Sequence, residues 1–303
     1  MNKDINHNKI ALTIDVEDWY HTPAVTGSNF SFYKDVHAFM KQWNKRYDYL
    51  TEPTKRVLRI LKEYNIKATF FIVANVVDYY NGLVESIARD GHEISCHGLH
   101  HAIKIDSKTK KPRFSFSEFE DRTNKAREVL QKVTGQRVDG YRAPGGYIGK
   151  WMYNSLIDLG FRYDSSINSN SFFNKSDFDL KRISSKPYSI NGMNSSGKII
   201  ELPFSYFQFG AFRFPTAGGP FLRFFPVEYI LMGLNDSLTR GNTVFYFHPI
   251  DVSNKTIPSL ASKNSNRPFY FITSGRRTEE KLSIIIKKFR NKWTTCNKLL
   301  ELQ

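Results

Sequence analysis

Short apolar runs rich in β-branched and aromatic residues alternate along this chain with amphipathic segments, and this alternation constrains the fold more than any other feature. Apolar runs of this length indicate buried strands, whereas apolar residues that recur every three or four positions indicate helices. Strands that alternate with helices form βαβ units around a parallel sheet. No internal repeat and no linker rich in Pro, Gly or Ser divides the 303 residues. The sequence therefore predicts a single α/β domain over residues 1–303, an irregular (β/α) barrel with insertions.

The predicted strands and helices alternate through the whole chain. Strands are predicted at residues 10–15, 67–73, 93–95, 138–142, 199–202 and 244–248. Helices are predicted from residue 51 and at residues 82–90, 117–134, 150–159, 227–240 and 277–291. The predicted insertions are residues 22–49, 168–198 and 205–226. The aromatic run at residues 204–214 fits either a buried strand or a wall on which a sugar ring stacks.

The charge balance favours anionic partners without identifying them. The sequence has 44 Lys and Arg residues against 29 Asp and Glu residues, a formal net charge of +15, which leaves anionic lipid and acidic glycan open. No signature of a nucleic-acid-binding module accompanies the charge, so nucleic acid is not an expected partner. Two cysteines are too few for a disulfide framework, and no apolar stretch approaches the ~20 residues of a membrane span. The expected location is the cytoplasm, with peripheral membrane contact left open.

Polar residues stand where four of the predicted strands end. In a parallel α/β barrel the carboxyl ends of the strands meet at one rim, where such folds place their active sites. The residues concerned are Asp15, Glu17 and Asp18 after the first strand, His97 and His101 after the third, Arg142 after the fourth and His248 after the last. We therefore expect these side chains to gather at one end of the barrel.

His97 and His101 are candidate metal ligands because their i, i+4 spacing aims both imidazoles at one place. Two histidines and one carboxylate leave coordination positions open, as a catalytic metal requires. Each part of this pattern also has a plainer explanation, since histidines at this spacing are often ordinary loop residues and an acidic cluster after a strand often caps a turn. Four strands that each end in such a group favour metal-assisted hydrolysis.

Five segments resemble, in order, the motifs of the NodB-type polysaccharide deacetylases of carbohydrate esterase family four. They are residues 13–18 (TIDVED), 91–101 (GHEISCHGLHH), 141–145 (YRAPG), 163–166 (YDSS) and 244–248 (VFYFH). Residues 216–226, 247–251 and 276–279 resemble the subgroup of this family whose deacetylase domain carries a C-terminal extension, here at about residues 205–303. That subgroup is often encoded with exopolysaccharide and surface-glycan assembly machinery.

The resemblance implies a metal-dependent hydrolase that removes the N-acetyl group from an amino sugar of a surface polysaccharide or its precursor, either an N-acetylated glycan or a lipid-linked sugar. A divalent metal, expected to be zinc, would be bound by His97, His101 and a carboxylate of the first motif, and would polarise the acetyl carbonyl and lower the pKa of a bound water. Asp15 would be the general base and His248 the general acid. Arg142 would keep Asp15 oriented and ionised.

Three further residues are implied to contact the substrate. Tyr141 or a neighbouring backbone N–H would bind the oxyanion, Pro144 belongs to the Arg-x-Pro motif, and Arg223 would bind an acidic group or a lipid-linked phosphate. Two other interpretations stay open. One is a catalytically inactive glycan-binding module of the same fold, and the other is a hydrolase of another C–N bond, such as a deformylase or a cyclic-amide hydrolase.

One position departs from the commonest form of the first motif, in which two adjacent aspartates act as base and metal ligand. Val16 occupies the second of these positions, so Glu17 and Asp18 are both candidate ligands. In a strand, Asp15 and Glu17 project to the same side while Val16 points away, and related branches of the family place the ligand two residues after the base. Both considerations favour Glu17, whereas Asp18 could instead cap the turn.

Overall fold

A curled, mostly parallel sheet with helices on its outside forms the framework of the protein. The computed structural model describes residues 7–22, 25–26, 31–43, 47–106, 108–170, 175–179, 183–192, 197–255 and 275–302. In these residues the strands are β1 (Ile10–Val16), β2 (Thr69–Ile72), β3 (Glu93–Cys96), β4 (Gly140–Tyr141), β5 (Tyr163–Asp164), β6 (Tyr188–Asn191), β7 (Lys198–Glu201), β8 (Tyr206–Phe209), β9 (Phe212–Pro215), β10 (Thr243–Phe247) and β11 (Trp293–Thr294).

The strand order of the main sheet is β10, β1, β2, β3, β4, β5, β7 and β6, with β11 paired to the first two residues of β1. Every pairing in this sheet is parallel except that of β6 with β7. All seven residues of β1 are buried, as expected for a parallel strand covered on both faces. Because β1 pairs with both β10 and β11, residues from the two ends of the chain share one sheet.

The helices follow the predicted alternation. They are α1 (Val36–Gln42), α2 (Thr51–Glu63), α3 (Val76–Tyr79), α4 (Leu83–Arg89), α5 (Phe116–Thr134), α6 (Lys150–Asp158), α7 (Gly219–Phe224), α8 (Val227–Arg240), α9 (Arg276–Lys288) and α10 (Cys296–Leu300). In α2 the residues Val57, Leu58 and Leu61 are buried on one face, which is the apolar stripe that a helix packed on a sheet requires. None of the helices in the described residues combines the length and apolar character needed to cross a bilayer.

The sheet curls into a half-barrel, so the predicted α/β fold of the barrel type is confirmed. An isolated bridge joins Phe204 to Val244, and the Ser205 amide donates to the Val244 carbonyl at 2.9 Å. This contact brings the chain that follows β7 against the free side of β10. The interior of the curl is therefore enclosed by strands from both halves of the sequence. The predicted start of the C-terminal extension near residue 205 stays a prediction.

The aromatic run at residues 204–214 is not one buried strand, so that interpretation is wrong, whereas the alternative of a wall on which a sugar ring stacks stays a prediction. The run forms the hairpin of β8 and β9, which reverses at Gly210 with a φ of +56°. Phe209 and Phe212 pair directly across the two strands and are 68% and 57% exposed. Alternation of apolar residues cannot distinguish one long strand from two short strands, because both place phenylalanine at every second position. The predicted insertions at 22–49 and 168–198 lie partly outside the described residues.

Candidate active site

The carboxyl ends of the parallel strands bring the predicted polar residues together at one rim. Asp15 is the penultimate residue of β1, and His97, Arg142 and His248 follow directly after β3, β4 and β10. All four side chains are buried. The sequence predicted that these strand ends meet, and the hydrogen bonds described below join them across the curl of the sheet.

Arg142 crosses the interior of the curl to reach β1. Its Nη1 donates to Asp15 Oδ1 and, at 3.0 Å, to Thr13 Oγ1. Its Nε donates to the Ser165 carbonyl at 2.7 Å and its Nη2 to Ser165 Oγ at 2.9 Å. The guanidinium is thus held at three nitrogens, and its charge balances that of the buried Asp15 carboxylate.

Three aromatic rings enclose this ion pair. The guanidinium carbon of Arg142 lies 4.0 Å from the ring centre of Phe71, 4.8 Å from that of Phe204 and 5.4 Å from that of Tyr246. A cation over aromatic faces is stabilised by the ring quadrupole, and more so when water is excluded. The rings therefore help to hold the Arg142 guanidinium in place, in an ion pair whose Arg142 and Asp15 side chains are only 1% and 4% exposed.

Glu17 stands between the two histidines of the third strand end. Its Oε1 lies 2.8 Å from His97 Nε2, 3.0 Å from His101 Nε2 and 3.7 Å from His248 Nε2. Burial by itself would raise the pKa of Glu17, but His101, His248 and His97 lower that pKa well below its usual value. Glu17 is therefore a carboxylate surrounded by imidazoles.

A divalent cation fits this donor set. His97 Nδ1 donates to the Arg142 carbonyl at 2.8 Å, which leaves the Nε2 lone pair of His97 facing Glu17. His101 Nε2 is buried and, within the described residues, makes no hydrogen bond despite its closeness to Glu17. The ligand atoms of Glu17, His97 and His101 all lie within 4.8 Å of one another. Two imidazoles and one carboxylate with room for further ligands are typical of a catalytic zinc-type site.

Asp18, the other candidate carboxylate, has a different role in the structure. It caps the short 3-10 helix Trp19–His21, where its Oδ1 accepts from the Trp19 amide at 2.8 Å. Its Oδ2 accepts from the hydroxyl of Tyr80, and burial raises the pKa of Asp18 to about 7. Among the described residues, the groups that could hold a metal ion include Glu17 but not Asp18. The geometry thus favours Glu17 as the ligand.

His248 faces the same space from the opposite strand end. Its Nδ1 lies 3.2 Å from Asp251 Oδ2, and its backbone amide donates to the same oxygen at 2.8 Å. Burial alone would lower the pKa of His248, but Glu17, Asp251 and Asp15 raise it to about 9. His248 belongs to a second group with close ligand atoms, together with Asp15 and Glu17, and its Nε2 lies 3.7 Å from Glu17 Oε1. The imidazole is therefore held from behind and presents Nε2 to the space beside the two carboxylates.

Tyr141 and Pro144 do not present polar groups to this space. The Tyr141 side chain is fully buried and packs edge-on against Phe119 and Phe161. Neighbouring residues of a strand point to opposite faces, so Tyr141 points outward where Arg142 points inward. The Tyr141 side chain is therefore not placed to meet the oxyanion, and the other predicted donor, a neighbouring backbone N–H, stays a prediction. Pro144 is buried beside the histidine loop, where a Cβ on Gly98 would lie 3.4 Å from Pro144 Cγ.

Arg223 is also placed differently from the prediction. Its guanidinium is buried, and its Nε lies 3.2 Å from Asp251 Oδ1. An arginine that binds an acidic substrate group must be reachable from solvent, but this side chain is only 1% exposed. The predicted contact with substrate is therefore corrected to an ion pair behind His248.

Two residues that sequence reasoning did not select stand close to the site. Asp251 lies three residues after His248, a spacing that could have identified it as the acceptor for the histidine. Lys175 comes from the insertion at 168–198, where its Nζ donates to the Gly145 carbonyl at 2.8 Å and lies 5.3 Å from the ring centre of Tyr147. No local pattern marks Lys175, because its partners are brought near it only by the tertiary fold.

Comparison with known families agrees with this site. Residues 42–163 match the family model described as polysaccharide deacetylase. Residues 165–301 match a model described as a domain of unknown function, DUF3473. The chain thus carries a polysaccharide deacetylase domain followed by a DUF3473 region. Asp15 and Glu17 precede the first match and His248 falls in the second, so the site combines residues from both matched regions and from the start of the chain.

Curated peptidoglycan deacetylases match the chain over part of their length. A peptidoglycan deacetylase of Helicobacter pylori is 29% identical over 117 residues, which cover 39% of this chain and 38% of that protein. A peptidoglycan N-acetylmuramic acid deacetylase of Bacillus subtilis is 27% identical over 110 residues, which cover 36% of this chain and 39% of that protein. The chain therefore spans about two fifths of the length of these relatives.

Solved structures of the deacetylase family share the fold. A probable polysaccharide deacetylase from Pseudomonas aeruginosa superposes with a TM-score of 0.58 at 15% identity, over 97% of this chain and 89% of that chain. A polysaccharide deacetylase-like protein from Mycobacterium smegmatis superposes with a TM-score of 0.53 at 23% identity, over 94% of this chain and 91% of that chain. A pseudoenzyme of carbohydrate esterase family four from Bacillus anthracis superposes with a TM-score of 0.53 at 15% identity, over 97% of this chain and 66% of that chain. At these identities the likeness concerns the fold alone.

Proposed function

We propose that this protein is a metal-dependent hydrolase that removes the N-acetyl group from an amino sugar of a surface polysaccharide or its precursor. The observation that carries the proposal is the convergence of Asp15, Glu17, His97, His101 and His248 within one buried rim. These residues supply two carboxylates, two candidate ligand imidazoles and a third imidazole on the far side. Amide hydrolysis with a metal needs this set of a base, an acid and a ligand triad.

Glu17, His97 and His101 would bind the divalent ion, for which zinc is our choice because imidazole and carboxylate ligands suit it. When bound, such an ion supplies Lewis-acid chemistry by polarising the acetyl carbonyl and acidifying a water. Asp15 accepts the proton of the water whose oxygen attacks the carbonyl carbon, with Arg142 holding the carboxylate in place. His248 gives a proton from Nε2 to the amine nitrogen as the C–N bond breaks, which leaves acetate and a free amino sugar.

The substrate class rests on the family and on charge. Two of the curated relatives are named as peptidoglycan deacetylases, and the net charge of +15 suits an anionic glycan or a lipid-linked sugar phosphate. A link to exopolysaccharide assembly follows from the resemblance of the C-terminal region. Both cysteines, Cys96 and Cys296, are free and buried, which accords with a reducing, cytoplasmic setting.

An inactive glycan-binding module is the second candidate, because one of the matching folds is described as a pseudoenzyme. An inactive site would need neither a buried base nor a supported acid. Here Asp15 is held by Arg142, and His248 by Asp251. The Asp15–Arg142 and His248–Asp251 contacts both bury charged groups. Burial of charge costs desolvation free energy, which a binding module without catalysis would have no reason to bear.

Acetate release from a panel of N-acetylated glycans tests the proposal. The panel includes chitooligosaccharides, peptidoglycan fragments and lipid-linked N-acetyl sugars, each with and without a chelator. We expect chelator-sensitive acetate release from at least one member. Glycan binding without any acetate release would instead indicate the inactive module, and hydrolysis of formamides or cyclic amides alone would indicate a different C–N hydrolase.

The role of His248 gives a separate prediction. Activity that needs one deprotonated and one protonated group falls at both ends of the pH range, and the alkaline fall reports loss of the proton from the acid. His248→Ala is expected to lower kcat by about 10²–10⁴-fold and to remove the alkaline limb. Rates from pH 5 to 10 on wild type and variant measure both effects. A variant with an unchanged bell-shaped profile would mean that another group is the acid.

A further inference from the structure

Asp251 connects His248 to a buried arginine of the C-terminal region. Its Oδ2 accepts a hydrogen bond from the His248 backbone amide at 2.8 Å and lies 3.2 Å from Nδ1 of the His248 ring. Its Oδ1 lies 3.2 Å from Arg223 Nε, and both side chains of this ion pair are 1% exposed. Because a carboxylate can only accept, Nδ1 of His248 must carry the proton in this contact, and Nε2 then faces the space near Asp15 and Glu17.

Arg223 is itself held firmly in place. It lies near the end of α7, where its Nε also lies 3.2 Å from the Gly219 carbonyl. Lys281 of α9 donates to the carbonyls of Arg223 and Phe225, each at 2.8 Å. A cation at the last carbonyls of a helix satisfies groups that lack a partner within the helix. The position of Arg223 is therefore set by contacts that do not involve the catalytic residues.

Gly219 leaves the space that the Asp251 carboxylate occupies. A Cβ at residue 219 would lie 2.5 Å from Asp251 Oδ1 and 2.6 Å from Oδ2. Distances under 3.0 Å require something to move, and the carboxylate is held on its other side by His248. A glycine at this position is thus required for Asp251 to lie where both Arg223 and His248 reach it.

We propose that Arg223 and Gly219 are positioning residues for the general acid: they fix the Asp251 carboxylate, which in turn fixes the direction of the His248 ring. The inference rests on the proposed function in that it assigns His248 the acid role. It gives the region that matches the domain of unknown function a part in the site, because Gly219, Arg223, His248 and Asp251 all belong to residues 165–301.

Kinetics of three variants test the proposal. Arg223→Ala removes the cation, Gly219→Ala displaces Asp251 while Arg223 is retained, and Arg223→Lys keeps the charge with one donor group. We expect Arg223→Ala and Gly219→Ala to lower kcat by at least about 10-fold with KM nearly unchanged, as for residues that orient an active group. The kcat of Arg223→Lys is expected to lie between those of Arg223→Ala and the wild type.

Arg240→Ala is the matched control. Arg240 of α8 also forms an ion pair in this region, with Asp236, and its guanidinium carbon lies 4.2 Å from the ring centre of Tyr206. Its removal costs an ion pair without touching Asp251 or His248. We expect kcat of this variant to remain within about 2-fold of the wild type, since mutations at sites that share no partners act independently.

Nitrogen-15 NMR of the histidine side chains gives a readout that does not need deacetylase activity. The His248 signals are assigned by their loss in His248→Ala. We expect Nδ1 of His248 to be protonated in the wild type, and its signals to shift in Arg223→Ala and Gly219→Ala but not in Arg240→Ala. If Arg223→Ala does not fold, the His248 signals and kcat of Gly219→Ala and Arg223→Lys test the proposal instead.

Unchanged His248 signals in folded Arg223→Ala and Gly219→Ala would overturn the proposal, and so would shifted signals with an unchanged kcat. A wild type without deacetylase activity but with the expected NMR shifts would retain the positioning contact and contradict only the proposed function. The two failures are therefore distinguishable.

Discussion

Exchanging Glu17 for glutamine is expected to weaken zinc binding by at least about 10-fold more than exchanging Asp18 for asparagine, because loss of a ligand costs more than the 10–100-fold attributed to outer partners. Glutamine keeps the shape of the side chain but loses the charge that faces His97 and His101 at 2.8 and 3.0 Å. Asp18 is engaged by Trp19 and Tyr80 instead. Competitive zinc titration of chelator-treated protein measures both affinities.

Asp18→Asn is the matched control for this experiment. Its Oδ1 can still accept from the Trp19 amide, so the cap of the 3-10 helix is retained. Circular dichroism and thermal unfolding establish that both variants fold. Loss of zinc in Asp18→Asn together with wild-type affinity in Glu17→Gln would assign the ligand role to Asp18 and contradict the alternation of side chains along β1.

The second large effect is expected for Asp15→Asn, which we predict lowers kcat by about 10²–10⁴-fold, the contribution of a positioned general base. The amide cannot accept the proton of the attacking water. Zinc content is expected to remain at the wild-type level, because Glu17, His97 and His101 are untouched. Steady-state kinetics and elemental analysis on the same samples separate loss of the base from loss of the metal.

Asp15→Asn also leaves the buried Arg142 without its counter-charge, which typically costs ~3–5 kcal/mol of unfolding free energy. Urea unfolding measures this loss and sets the conditions under which the variant is assayed. Thr13→Val is the control, since it removes another hydrogen bond of the Arg142 Nη1 but leaves the carboxylate. We expect less than about 10-fold loss of kcat there, because a single hydrogen bond contributes ~0.5–1.5 kcal/mol. A comparable loss in both variants would argue against Asp15 as the base.

The sequence predicted the site best where the alternation of side chains along a strand determines which residues face it. Residues 13 and 15 fall on one side of β1 and residue 17, directly after the strand, continues that side: Thr13 and Asp15 contact Arg142, and Glu17 contacts His97. The same rule, applied to Tyr141, would have placed its ring opposite to Arg142. The suggestion that the Tyr141 side chain meets the oxyanion followed the family motif instead, which is why only that alternative was corrected.

Other features were beyond local reasoning because their partners are distant in sequence. Arg223 meets Asp251 only after α7 has packed beside β10, so its charge suggested a substrate contact while its burial shows an ion pair. Similarly, the bridge from Phe204 to Val244 and the pairing of β11 with β1 depend on how the sheet curls. The cap formed by Asp18 is local, but a carboxylate that caps and one that binds a metal look alike in a sequence.

Metal reconstitution tests the central claim most directly, namely that one divalent ion at Glu17, His97 and His101 makes this rim a deacetylase site. Chelator-treated protein is supplied with increasing zinc, and acetate release is followed with the most reactive glycan of the panel. We expect no acetate release above background before zinc is added, a linear rise to a plateau at one ion per chain, and no recovery in His97→Ala. Full activity of the metal-free protein, or equal recovery in His97→Ala, would contradict the account.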